Sequence, residues 1–178
     1  MAEIFFHLTD ESAFCGVCLH FGRLVDCGSF SICRNIVVIF VLPKLDRMVI
    51  DKELLDSLTA QAQASPRLRM NLDLRNSDAD SSQRMLNAIE PGSVVPVHRH
   101  RGTSETMVVL RGRVVEEYYS SDGTVEAVFE LAAGGPVSAL NIPAGQWHTL
   151  RALESGTVIL EMKDGAYEPI GEGDVLTI

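Results

Sequence analysis

The chain is short of positive charge. It has 15 Lys and Arg against 24 Asp and Glu, a formal net charge of −9. Phosphate backbones select basic patches, so this balance excludes a general nucleic-acid binder. Long apolar runs are also missing. The longest, "IVVIFVL" from Ile36 to Leu42, is far short of the roughly 20 residues that a membrane-spanning helix needs. No basic region followed by an apolar stretch and a small-residue cleavage site opens the sequence, so no secretory signal is expected and the default compartment is the cytoplasm. Cysteine disappears after Cys33. Cys15 and Cys18 have CxxC spacing, but Cys27 and Cys33 do not make the second pair of a zinc ribbon. No strand–helix pattern around Cys15 supports a redox motif, so the four thiols read as ordinary ones.

The residues that are present divide into three parts. Residues 1–47 hold every cysteine and two of the five histidines, His7 and His20, with poor periodicity. They read as an atypical extension outside the working domain, with Met48 as its functional start. Residues 48–82 read as a helix and a linker packing on a β region. Val49 and Ile50 suit a short strand, Asp51 is a good N-cap, and Leu54, Leu55, Leu58 and Ala62 recur at helical spacing. Ser65 before Pro66 ends the helix, because a residue preceding proline is pushed out of the helical region. Residues 83–178 read as that β region. "QRMLNAIE", "SVVPVHRH", "ETMVVLRG", "RVVEEYYS", "TVEAVFEL", "VSALNIP", "HTLRAL" and "TVILEMK" are short strands punctuated by glycine and proline. This pattern predicts a sandwich or barrel, and the lack of long helices argues against βαβ units.

The chemistry concentrates in "VHRHRGTSE", Val97 to Glu105. In a strand, residues i and i+2 share a face, so His98 and His100 aim together and Arg99 points away. Two imidazoles so placed can share one ion at about 2.0–2.2 Å. Glu105 comes after the bend "RGTS". If its strand pairs antiparallel with the first, it returns to the same end of the same face. A fourth ligand must come from elsewhere, and His148, just after the turn Pro143–Gly145, is the one other histidine beyond residue 20. A lone strand histidine is ordinarily structural or solvated; this constellation points to a metal.

Gly92, His98, His100, Glu105 and Gly112 stand at spacings that resemble the first cupin motif, and Pro143, Gly145 and His148 resemble the core of the second. The second motif departs in two places: Ala152 stands where asparagine is frequent, and Gly135 is the nearest leading glycine. The resemblance implies a cupin double-stranded β-helix, a jelly-roll barrel preceded by a short helical segment. It implies one divalent transition metal held by His98, His100, Glu105 and His148. "SPRLRMNLDL", "QRMLNAIEPG", "HRHRGTSET", "VVLRGRV", "IPAGQWHTL" and "EMKDGAYEP" together resemble the WbuC family of cupin metalloproteins, over about residues 48–170. That family is associated with O-antigen and other surface-polysaccharide gene clusters, which implies a sugar-related setting; cupin barrels commonly pair, so the resemblance to cupins also implies a homodimer.

Three functions fit such a site. One is metal-assisted isomerisation or epimerisation of a sugar or sugar-derived metabolite. A second is dioxygenase-like chemistry on Fe(II). The third is a non-catalytic module that retains a small anion through the metal. The ligand set suits Fe, Mn, Ni or Zn without ranking them. Candidate pocket residues are Asn87, Arg84, Gln146 and Trp147; Glu90 and Glu117 are candidate bases that equally suit a solvent-facing role. Arg67, Arg69, Arg75 and Arg84 precede or open the β region. They suit an anionic ligand such as a sugar phosphate, or ion pairs with Asp73, Asp78 and Asp80. Tyr167 is expected to close one barrel end, and "RVVEEYYS" to be an exposed edge. The partner expected is a small molecule, with neither nucleic acid nor membrane.

Overall fold

A computed structural model describes residues 48–178. The expectations for Cys15, Cys18, Cys27, Cys33, His7, His20 and the extension 1–47 lie outside the described residues. No helix among the described residues is long and apolar enough to cross a membrane.

The first element is α1, Lys52–Ala64. Asp51 caps it, its Oδ1 accepting from the Leu54 backbone N–H at 3.0 Å. Ser65 is extended (φ −78°, ψ 135°) ahead of Pro66 and ends it. Val49 and Ile50 form no strand; they are exposed and meet no sheet edge. Leu58 and Ala62 are buried against Leu86, Ala88 and Val158, with Leu54 and Leu55 at the margin of the same cluster.

Eight strands come next: β1 Arg69–Asp73, β2 Ser82–Ile89, β3 Glu105–Arg111, β4 Arg113–Tyr119, β5 Val125–Ala132, β6 Ala139–Ile142, β7 Trp147–Ala152 and β8 Thr157–Asp164. They form two sheets, in the orders β1-β2-β8-β3-β6 and β5-β4-β7, with every pair antiparallel. This is the jelly-roll double-stranded β-helix with a short helix in front. Ile89, Met107, Val109, Val114, Leu131, Leu150, Ala152 and Ile159 fill the space between the sheets. Alternation then fixes the rest, because residues two apart on a strand share a face. Ile159 faces inward, so Glu161 and Lys163 do too. Val114 faces inward, and Glu116 and Tyr118 share its face.

Three details correct the sequence reading. The stretch 48–82 contains a strand, β1, which pairs with β2 at one edge of the larger sheet. Residues 94–100 are not a strand: apart from bridges at His98 to His148 and Val175, the segment is irregular. Pro96 has no N–H to give to a ladder, which confines the pairing to His98. "RVVEEYYS" is no edge either, since β4 lies between β5 and β7. The turn after β3 needs Gly112, whose φ is +78° and where a Cβ would run into Thr157.

Candidate metal centre

His98 is placed by backbone bonds to β7. Its N–H donates to His148 O at 2.9 Å, and the His148 N–H returns to His98 O at 2.8 Å. The turn before β7 is tied to the same segment, because the Gly145 N–H (φ +82°) donates to His100 O at 2.7 Å. Glu105 opens β3 beside Lys163 of β8. That is a different route from the expected one: β3 pairs with β6 and β8, not with the histidine segment. The four side chains still converge, because the bridge holds His98 against β7 while β3 brings Glu105 from the opposite sheet.

The rings of His98, His100 and His148 stand 4.4–5.8 Å apart between centroids. One ligand nitrogen from each falls within 4.8 Å of the others. Nδ1 of His98 lies 3.0 Å from Pro96 O, and Nδ1 of His148 lies 2.9 Å from Gln146 O. A carbonyl can only accept, so in both rings Nδ1 carries the proton and Nε2 keeps its lone pair. Nε2 of His148, Nε2 of His100 and Oε2 of Glu105 are buried without a hydrogen-bond partner. Glu105 Oε2 is 3.3 Å from His100 Nε2 and 3.9 Å from His148 Nε2. Ligand atoms around one small ion stand roughly 3–4 Å apart, so this donor set fits a divalent metal.

Electrostatics agree. Burial, then the neighbouring His148, pushes His98 down to about 4, and burial also lowers His148. Both rings are therefore neutral near pH 7, the form that ligates. Burial works against the Glu105 carboxylate, but His100, Lys163 and His148 beside it hold its pKa below the ordinary value. Lys163 Nζ lies 3.1 Å from Glu105 Oε2, at ion-pair distance though off the hydrogen-bonding direction, and 3.1 Å from Glu161 Oε2, to which it donates. Burial opposes the charge on Lys163, and Glu161 and Glu105 more than restore it.

The histidines open onto a cavity of roughly 430 Å³. Asn87 lines it with Gln83, Met85 and Ile89, and so do Glu161, Lys163 and Tyr167. Three expected pocket residues do not line it. Arg84 is on the opposite face of β2, bonded to Asp80 Oδ2 at 2.7 Å and Leu74 O at 3.3 Å. Trp147 faces outward with Val97 and Tyr119, under the Arg99 guanidinium at 4.3 Å. Gln146 donates to Tyr119 O and Trp147 O, and only its backbone carbonyl serves the site. Neither expected base is available. Glu90 is buried and accepts from Gly156 N and Ser155 Oγ. Glu117 lies outside and accepts from Tyr119 Oη at 2.7 Å. Arg75 and Arg84 are spent on Asp73, Asp78 and Asp80, whereas Arg69 lines the cavity. Tyr167 is half exposed, with the Arg75 guanidinium over its ring.

Sequence reading misses Glu161 and Lys163. The alternation in "TVILEMKD" carries the signal: once Ile159 is placed inward, both join it. It also misses Glu116 and Tyr118, whose polar atoms are buried without partners. Burial, then Glu105, Glu161 and Glu117, pushes Glu116 up to about 9, so it is a neutral acid.

The family described as a domain of unknown function, DUF6016, matches residues 50–131. That stretch includes His98, His100 and Glu105 and stops before His148. No curated protein matches the chain. Among solved structures, the chain is similar to CapF bound to the inhibitor 3-isopropenyl-tropolone, with 18% identity over 56% of this chain and 28% of that one, TM-score 0.49. It is similar to KdgF from Halomonas sp., with 16% identity over 58% of this chain and 84% of that one, TM-score 0.45. It is also similar to the cupin domain of Schizosaccharomyces pombe Cnp3, with 13% identity over 56% and 65%, TM-score 0.44. The match covers little more than a quarter of CapF's length.

Proposed function

We propose that His98, His100, His148 and Glu105 hold one divalent transition metal, and that the chain isomerises or epimerises a small sugar-derived metabolite. The observation that carries the metal reading is the cluster of one ligand nitrogen from each of three histidines within 4.8 Å of one another, two of the rings already fixed in the ligating tautomer, with the buried, unpartnered Glu105 Oε2 beside His100 and His148. Such an ion, when bound, polarises a substrate oxygen and makes the neighbouring C–H more acidic. The remaining work falls to the chain. His98 and His148 enter neutral, so no proton need be expelled from either ring. Glu161 Oε2 and Lys163 Nζ, 3.1 Å apart on the cavity wall, are the groups able to hold and return a proton there. Burial and Glu105 raise the Glu161 carboxyl above its ordinary pKa, which makes its carboxylate a better base. The sugar comes from the resemblance to the WbuC family, and the cavity volume falls in the range of small-ligand sites.

Proton abstraction next to a carbonyl has a direct readout. Metal-replete protein in D2O should wash deuterium into one carbon of a sugar phosphate or nucleotide sugar, monitored by NMR or mass spectrometry. Glu161→Gln should lower exchange on the order of 100-fold or more while keeping its metal. No exchange across a broad panel of such sugars, from protein that holds its metal, would overturn the isomerase reading.

A further inference from the structure

One wall of the histidine site is made by residues 165–178 rather than by a sheet. Asp174 and Val175 pack along the ligand-bearing segment: the Arg99 N–H donates to Asp174 O at 3.1 Å, and the Leu176 N–H to Val97 O at 2.8 Å. Leu176 packs against the outward cluster of Val97, Tyr119 and Trp147. Ala166 to Ile170, Asp174 and Val175 line the cavity. Apart from a short 3-10 turn, Glu172–Asp174, the segment has no regular structure. At its centre two guanidiniums meet one carboxylate oxygen. Arg99 Nε donates to Asp174 Oδ1 at 2.9 Å and Arg101 Nε at 2.5 Å, while both Nη2 groups donate to Gly173 O. Arg99 is also stacked on Trp147, which keeps it in place whatever its partner.

We propose that Arg99 and Arg101 form an oxyanion site at the mouth of the cavity, that Asp174 is its internal occupant, and that an incoming carboxylate or phosphate displaces Asp174 and lifts the cover. Guanidinium forks bind such groups by paired, charge-assisted hydrogen bonds. A ligand oxyanion there competes for the donors that Asp174 now uses. Three anchors, Arg99 N, Leu176 N and the Leu176 side chain, then hold residues 174–176, while the other end of the cover stays tied by the Gly165 N–H to Ser81 O, by Gln83 Nε2 to Gly165 O and Ala166 O, and by Arg75 over Tyr167. Segments with so few buried contacts open at the low end of the local stability range. The site therefore selects ligands that carry an acidic group. This goes beyond the metal reading and does not need it, so the test runs on metal-free full-length chain and either idea can fail alone.

The measurement is amide hydrogen exchange with inorganic phosphate and with malonate, each against sodium chloride at equal ionic strength. The Val109 amide, bonded to Ser138 O, serves as the fold control. We expect saturable acceleration at Arg99 and Leu176, on the order of tenfold, by at least one of the two anions and not by chloride. A response to phosphate alone assigns a phosphorylated ligand, and one to malonate alone a carboxylate. Arg101→Met, at a largely exposed position, should abolish the response, and Asp174→Asn should show fast exchange with no anion added. Exchange unmoved by both anions, equally moved by chloride, or unchanged in its anion response by Arg101→Met would overturn the proposal.

Discussion

Glu116 is fully inaccessible, and both its carboxyl oxygens lack a partner. Its cross-strand neighbours are Phe129 and Leu150, so nothing there repays desolvation of a charge. Its folded pKa, about 9, lies above the ordinary 4.5. The folded state therefore holds a proton that the unfolded state has released. This residue's penalty is accordingly absent below about pH 4.5 and grows as pH rises to about 9, at up to about 1.4 kcal/mol per pH unit. Glu116→Gln keeps the shape without the titration. Urea melts of the two proteins between about pH 5 and about pH 8 should diverge, the wild type losing stability relative to the variant as pH rises. Parallel curves would mean that Glu116 ionises freely in the fold. The same residue shows how fine the margin is in reading a strand. The sequence offers Glu117 as a candidate base and leaves Glu116 unremarked, although one step along a strand exchanges the two faces. Val114, inward in the hydrophobic core, sets the phase that distinguishes them.

At the scale of elements, α1 is legible in full, because cap, apolar spacing and the Ser65–Pro66 stop all agree. β1 is not. Met70 and Leu72 are its only apolar residues, and they belong to the cluster under the helix, so the strand depends on pairing with β2 rather than on its own pattern. Residues 94–100 mislead in the opposite direction: "SVVPVHRH" has strand-like composition, yet Pro96 breaks the ladder. The ligands are legible despite this, since the HxH spacing and the turn before His148 do not depend on the segment being a strand. The helix also offers a control on the site. It packs on Leu86, Ala88 and Val158, the face of β2 and β8 opposite the cavity. Leu58→Ala should cost about 2–4 kcal/mol in urea melts, as large-to-small core changes do, with metal content unchanged. Loss of the metal along with that stability would show that the sheet does not insulate the site from the helix.

Across the whole molecule, the proposed ion joins parts that come from different sheets. Glu105 belongs to β3 of the larger sheet, His148 to β7 of the smaller, and His98 and His100 to the irregular segment along β7. An ion held by all four crosslinks the two sheets and exists only in the folded state, so it adds to stability by mass action. The interior acids also fit this arrangement, since Glu105 and Glu161 lie beside the place where a positive charge is proposed to enter, with Lys163 ion-paired to both. The most direct measurement is elemental analysis of the full chain after reconstitution with Fe, Mn, Ni or Zn, beside His98→Ala, with thermal melts before and after a chelator. The account predicts about one equivalent of a transition metal per folded chain, lost in the variant, and a wild-type midpoint that falls on chelation. Wild-type protein that retains no ion from any of the four, with a midpoint indifferent to chelator, would contradict it.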